Sequence, residues 1–309
     1  MRGDIVTLFG GTGFLGRRIA AALMRQEIRV RIAARRPERF EPPPGQSSFL
    51  QRVQADLRDR ESVRAAVVGS TAVANAVGLY VEGGDARFRD IHVDGARRVA
   101  EAVRDARATR LLHVSGIGAD SGARDSYIRC RGEGERAVRE AFPDAAILRP
   151  SVMFGDGDAF LGMLVQLVRR LPVMPLFGHG RCRLQPVHVD DVARAACRLL
   201  SRAAPPEPLY EVAGPRAWHY RDIVRLVAQA SGRRRLLLPL PFPLWEALAA
   251  TGRLLPTPPV TPAQVALMRQ DNLPSADLPG LAALGIRPAR LEVALGRLLA
   301  PEQPGHAGR

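Results

Sequence analysis

Residues 8–18, LFGGTGFLGRR, constrain the fold more than any other stretch: glycines 10, 13 and 16 follow an apolar run and open a segment with helical spacing. Gly10 permits a tight turn, Gly13 leaves no side chain where a phosphate must approach the backbone, and Gly16 lets the helix lie close to the strand. Free N–H groups and a partial positive charge at the helix start then face the phosphates. Thr12, Phe14 and Leu15 fill the rest of this loop and are counted with the glycines as nucleotide-contact candidates.

The rest of the N-terminal half repeats the same unit. Apolar runs at 4–10, 28–34, 71–77, 110–116 and 145–151 alternate with helix-like segments at 14–26, 59–68, 86–107 and 126–141, and 49–57 fits a further strand. That rhythm predicts an α/β fold in which helices wrap a doubly wound parallel sheet. After Pro150 prolines become frequent, with helices expected at 158–170, 190–202, 220–231, 242–254, 262–270 and 289–299. The chain thus divides into a dinucleotide-binding domain (1–150), a smaller C-terminal α/β lobe interleaved with the sheet (151–300) and a flexible tail (301–309). A length of 309 residues accommodates both parts around one large body.

The second strand decides the nucleotide. An acidic residue at its end would hold the ribose 2′-OH of NAD; here the chain reads Ala33, Ala34, Arg35, Arg36. A guanidinium pairs with the 2′-phosphate of NADP through charge-assisted hydrogen bonds, so NADP(H) is expected over NAD(H). Asp56 and Leu57, closing the third strand, border the adenine in this reading, and Asn75, Ala76, Val77 and Gly78 place small residues against the cofactor. Each has an equal role open to it in packing.

Composition excludes several other classes. The net charge of +14 comes from 45 arginines and no lysine. These arginines are scattered without interleaved aromatics, so the charge does not point to nucleic acid, while anionic lipid or an acidic partner remains open. Cys130, Cys182 and Cys197 stand far apart with no C-x-x-C pair, which argues against zinc and disulfides and for a reducing compartment. His92, His113, His179, His188 and His219 lack ligand spacing and are read as packing or surface residues, with no metal expected. No secretory signal is expected at the N-terminus, and 236–250 is too short and proline-rich to span a bilayer. In 233–259 three arginines precede an apolar stretch containing Trp245. This segment reads either as a strand and helix closing the lobe's own core, the preferred reading, or as a membrane-interface element. Either way it offers an apolar wall to a hydrophobic substrate.

GGTGFLG, the tyrosine opening the helix after the fifth strand, and QPVHVDDVARA (185–195) together resemble the extended or atypical short-chain dehydrogenases/reductases of the NAD-dependent epimerase/dehydratase type. LLHVSGIGAD, YIRCRGEGERAVREAFPDAAILRPSVMFGDGDAFL and PLPFPLWEALA extend the likeness over almost the whole chain. There it resembles the nucleotide-binding accessory subunit of respiratory complex I and its bacterial relatives. The resemblance implies a Rossmann-type body that binds NADP(H) for structure or for ubiquinone-linked metabolism. It implies a respiratory complex or membrane surface as partner, and a cytoplasmic protein peripheral to the inner face of the cytoplasmic membrane. It also implies a rival activity: an NADP-dependent oxidoreductase, epimerase or dehydratase acting on a hydrophobic carbonyl or quinone-like substrate. Tyr127 would then be the acid/base, Arg131 its cationic support and Ser115 the orienting hydroxyl. Active members carry a lysine where this chain has Arg131, and more often place the hydroxyl where Ile117 stands. Pro150, Ser151 and Val152 would wrap the nicotinamide, which Tyr127 and Arg131 also border.

Overall fold

The computed structural model describes residues 4–201, 207–252 and 260–299. The expected tail at 301–309 lies outside the described residues, as does 253–259 of the arginine-led apolar segment. The six expected strands form as β1 (Ile5–Phe9), β2 (Arg29–Ala34), β3 (Leu50–Gln54), β4 (Ala72–Asn75), β5 (Arg110–Val114) and β6 (Ala146–Pro150). Between them run α1 (Phe14–Met24), α2 (Arg60–Val67), α3 (Ala96–Asp105) and α4 (Ser126–Ala141). Beyond Pro150 come strands β7 (Met153–Phe154), β8 (Val173–Phe177), β9 (Arg183–Leu184), β10 (Val187–His188), β11 (Leu209–Val212), β12 (Trp218–His219) and β13 (Leu236–Leu240). The helices of this half are α5 (Ala159–Arg170), α6 (Val189–Leu200), α7 (Tyr220–Ala230), α8 (Phe242–Gly252), α9 (Pro262–Leu267) and α10 (Leu291–Leu299).

Seven strands make one sheet in the order β11-β6-β5-β4-β1-β2-β3, and every pairing in it is parallel. The order reverses between β1 and β4, which opens a crevice at the carboxyl ends of the strands. Both faces are covered, as an all-parallel sheet requires. Val6, Leu8, Val30 and Ile32 pack against Ile19 and Leu23 of α1 and Val192, Ala195 and Leu199 of α6. Phe9, Val73, Leu111 and Ile147 pack against Val63 of α2, Val99 of α3 and Val138 of α4 on the other face. A third core of Leu161, Leu164, Val168, Met174, Leu176, Ile223, Val224 and Val227 holds α5 and α7 beside the short β8–β13 pair.

Two elements of the C-terminal half complete the N-terminal sheet. Helix α6 covers the same face as α1, and β11 pairs with β6 at the sheet edge. The sequence around β11 offered no strand signal because its four residues include Glu211, an unfavourable side chain for a buried position. Tertiary partners overcome that cost. Arg149 on β6 bonds Glu135 of α4 through two contacts of 2.8 Å and Glu211 at 3.1 Å, while the Ser275 N–H donates to Glu211 at 2.7 Å. The segment expected as one helix at 86–107 instead winds as a wider π turn over Arg89–Gly95 before α3 begins.

Replacing Arg149 by Met strands two carboxylates that are almost wholly buried, so it is expected to lower unfolding stability by about 3 kcal/mol. Urea denaturation at neutral pH measures this, and an unchanged midpoint would show that the triad does not hold α4 to the sheet.

Candidate functional site

The glycine loop sits over the crevice because two close approaches leave it no alternative. Gly10 has a φ of +79°, and a Cβ there would meet the Ala76 carbonyl oxygen at 2.7 Å. A Cβ on Gly16 would run into the Gly10 carbonyl oxygen itself. The turn is closed by the Gly13 N–H bonding the Gly10 carbonyl at 2.9 Å. Gly13 is exposed and forms the N-cap of α1 with no side-chain cap and no acidic residue in the first turn. The helix start therefore has no side chain competing with an anion. Thr12 and Phe14 are half-buried beside it, whereas Leu15 turns into the core.

At the neighbouring strand ends, Arg35 and Arg36 follow β2 as exposed side chains. Asp56 follows β3, held below its ordinary range first by the side-chain bond to Arg58 and further by the charges of Arg58 and Arg35. Leu57 is buried and packs against the Cα of Gly95, so its side chain belongs to the core under this corner. Asn75, the last residue of β4, is buried and its Oδ1 accepts from the Val77 N–H at 3.2 Å, shaping the turn through Ala76, Val77 and Gly78.

Tyr127 and Arg131 lie one turn apart on α4, whose start is fixed by Asp125 accepting from the Ile128 N–H. Arg131 donates from its guanidinium to the Tyr127 hydroxyl oxygen at 2.5 Å. Its guanidinium also lies against Gly116, one residue beyond Ser115, where a Cβ would stand 2.9 Å away. The three expected catalytic residues are thereby brought to one place at the carboxyl end of β5. Ser115 Oγ and Arg131 Nε are both buried there without a hydrogen-bond partner. Ile117, two residues on, is buried and apolar, and its backbone N–H bonds the Pro150 carbonyl at 3.1 Å.

Burial governs the electrostatics of this floor. It raises the Tyr127 phenol above its usual value, outweighing the downward pull of Arg131. The rings of Phe88, His92 and Tyr80 surround Tyr127 at centroid distances of 5.3, 5.7 and 5.9 Å. Burial, with the Arg131 charge adding to it, pushes His92 and His113 down to about 3, so both rings are neutral. His92 spends its Nε2 on the Leu79 carbonyl at 2.9 Å.

Asn272 was not singled out by sequence reasoning. Its Oδ1 accepts from Ser151 Oγ at 2.6 Å and the Val152 N–H at 3.1 Å, and its Nδ2 donates to the Ile117 carbonyl at 3.3 Å. One side chain thus stitches the loops after β5 and β6, placing Ser151 and Val152 beside the site and leaving Pro150 inside the sheet. No periodicity marks it, since it lies in a turn-rich segment more than a hundred residues downstream. Arg18 was missed in the same way; it reaches from α1 to the Asp156 carbonyl at 3.2 Å and ties the glycine-loop helix to the loop after β7.

The model of the NAD dependent epimerase/dehydratase family matches residues 6–213. The mitochondrial NADH dehydrogenase (ubiquinone) 1 alpha subcomplex subunit 9 of Rattus norvegicus is 32% identical over 299 residues, covering 94% of this chain and 78% of its own. The ceramide reductase of Caulobacter vibrioides is 32% identical over 244 residues, covering 77% and 74%. Among solved structures, the Bordetella bronchiseptica enzyme WbmH in complex with NAD+ superposes with a TM-score of 0.72 over 96% of this chain and 97% of that one; at 15% identity the likeness is one of fold.

Two outcomes are expected from this geometry. Gly16→Ala forces α1 off the loop, costs about 1–3 kcal/mol in overpacking and weakens nucleotide binding, read as loss of NADPH fluorescence enhancement. The second concerns acid. His92 and His113 are held neutral with pKa values of about 3 against 6.5, so their contribution to stability is complete above pH 6.5 and is lost as the pH falls toward 3. Each adds a slope of about 1.4 kcal/mol per pH unit inside that window. Urea midpoints followed from neutral pH into that window should fall less steeply in His113→Gln than in the natural sequence.

Proposed function

The chain belongs to the NAD-dependent epimerase/dehydratase family, and on that premise we propose that it binds NADP(H) and reduces a hydrophobic carbonyl or quinone-like compound, with Tyr127 as proton donor. The hydrogen bond from Arg131 to the Tyr127 oxygen carries this reading. A guanidinium has donors and no acceptor, so the phenol must accept in that contact and its own O–H proton is free for a substrate oxygen. Burial keeps the phenol protonated at neutral pH, which suits an acid that gives its proton to a developing alkoxide. The tyrosinate left behind is then held by the Arg131 charge. Ser115 Oγ, buried and unpartnered, supplies the second hydrogen bond to the same substrate oxygen. When bound, the nicotinamide supplies or takes the hydride.

The glycine loop fits the pyrophosphate, and the exposed Arg35 and Arg36 support the 2′-phosphate of NADP over the bare ribose of NAD. The walls around Tyr127, formed by Leu79, Phe88, Ala263 and Leu267, favour an apolar substrate. The Caulobacter relative's name, a reductase of ceramide, agrees with that preference.

A second reading rests on the rat relative, a respiratory subunit whose likeness runs over 94% of this chain. In it the nucleotide is retained to hold the fold inside a respiratory assembly, and the broad fork of Arg131 in place of a compact ammonium slows or stops turnover.

Tyr127→Phe should lower kcat by about 10²–10⁴-fold while leaving the Kd for NADPH unchanged, measured by nucleotide fluorescence and by NADPH oxidation against carbonyl and quinone panels. Retained turnover in that variant rejects Tyr127 as the donor, and bound NADPH that stays unoxidised across the whole panel favours the structural reading. Arg35→Ala combined with Arg36→Ala should weaken NADPH binding by about tenfold or more, the loss of charge-assisted contacts, with the NADH Kd little altered.

A further inference from the structure

We propose that the face formed by β13 and α8 seats the protein on an anionic phospholipid bilayer. Alternate residues of a strand share a face. On β13 these are Leu236, Leu238 and Leu240; the first two are 67% and 45% exposed, and Leu240 packs against Trp245 of α8. The apolar strip therefore runs from the open strand face onto α8, where Leu244 and Leu248, one helical turn apart, are also exposed. Beneath it, Trp245 and Phe177 lie with ring centroids 4.3 Å apart, and the indole N–H bonds the Leu176 carbonyl, so the outer leucines stand on a rigid floor.

Charge selects the occupant. Arg233 and Arg234, at the entry to β13, and Arg169 and Arg170, at the end of α5, are all exposed. The Arg235 Nε bond to the Val168 carbonyl at 2.7 Å draws these two segments together, so the four guanidiniums border one end of the leucine strip. The carboxylate of α8, Glu246, is neutralised by Arg269. Exposed leucines bordered by arginines match acyl chains beneath anionic headgroups, each basic group adding attraction at such a surface. Pro239 on the strand lacks a backbone donor and opposes extension of the sheet by a strand from another protein. Among the described residues no helix is long and apolar enough to cross a membrane, so the contact is with the bilayer surface.

The same face communicates with the candidate site. Helix α9 packs Val265 against the Trp245 cluster, and Ala263 and Leu267 against the Tyr127 cluster. One short helix is thus shared by the docking face and the Tyr127 cluster. This places the Tyr127 cluster next to the face from which an apolar substrate carried by the bilayer would arrive, a consequence that rests on the reductase reading; the docking itself does not.

Co-sedimentation with phosphatidylcholine vesicles, with and without about one-third phosphatidylglycerol, tests the docking without cofactor or substrate. The full chain should pellet with the anionic vesicles and be released by salt, as expected for surface charges. Arg233→Gln with Arg234→Gln should weaken binding by about thirtyfold, and Leu244→Ser with Leu248→Ser should abolish it, while the Kd for NADPH stays unchanged in both. Tyr127→Phe should bind vesicles as the natural sequence does, which separates failure of the docking from failure of the catalytic reading. Full protein in the supernatant with both vesicle types, or a concentration-dependent dimer that the leucine variant dissolves, overturns the proposal.

Discussion

The contact between the Gly10 carbonyl and the Cα of Gly16 is the constraint on which the site depends. Because no side chain intervenes there, α1 can start directly above the end of β1, with its first amides open and its Leu15, Ile19 and Leu23 face on the sheet. The loop is simultaneously pressed onto Ala76, beyond β4. The proposed nucleotide site is therefore a backbone surface fixed by packing, at the switch in strand order.

The Tyr127–Arg131 pair beside that surface is built by a different device, burial of charge at close quarters. Arg131 is covered by the Gly116 backbone and engages the Tyr127 oxygen, so its positive charge is felt strongly by nearby groups. It adds to the desolvation that keeps His92 and His113 neutral, and it opposes, without reversing, the rise in the phenol of Tyr127. Two buried polar atoms remain unpartnered at this spot, Ser115 Oγ and Arg131 Nε. Unsatisfied buried groups are costly, and their concentration beside one tyrosine fits a surface shaped to be completed by a ligand.

The support for this arrangement comes from far along the chain. Arg149 ties α4 to β6 and β11 through two buried carboxylates, and Asn272 clamps the loops after β5 and β6. Helix α4 also presses onto the backbone at His92, where only Gly134 leaves room. Each device uses one polar side chain, or one absent side chain, to fix a backbone segment that carries a candidate site residue.

The glycine loop, strands β1–β6 and the Tyr127–Arg131 pair were legible in the sequence because each is a local pattern: a fixed spacing, a short apolar run of the kind a parallel sheet buries on both faces, or one helical turn. Helix α4 begins and ends where its spacing placed it, at Ser126 and Ala141. Tertiary structure alone decided that β11 would close the sheet, since its Glu211 is tolerable only opposite Arg149. It alone brought Asn272 to Ser151, a pairing of polar groups 121 residues apart that leaves no periodic trace. It also decided the protonation of Tyr127. The sequence supplies a cation four residues away, but only the packed aromatic wall removes enough water for burial to outweigh that charge.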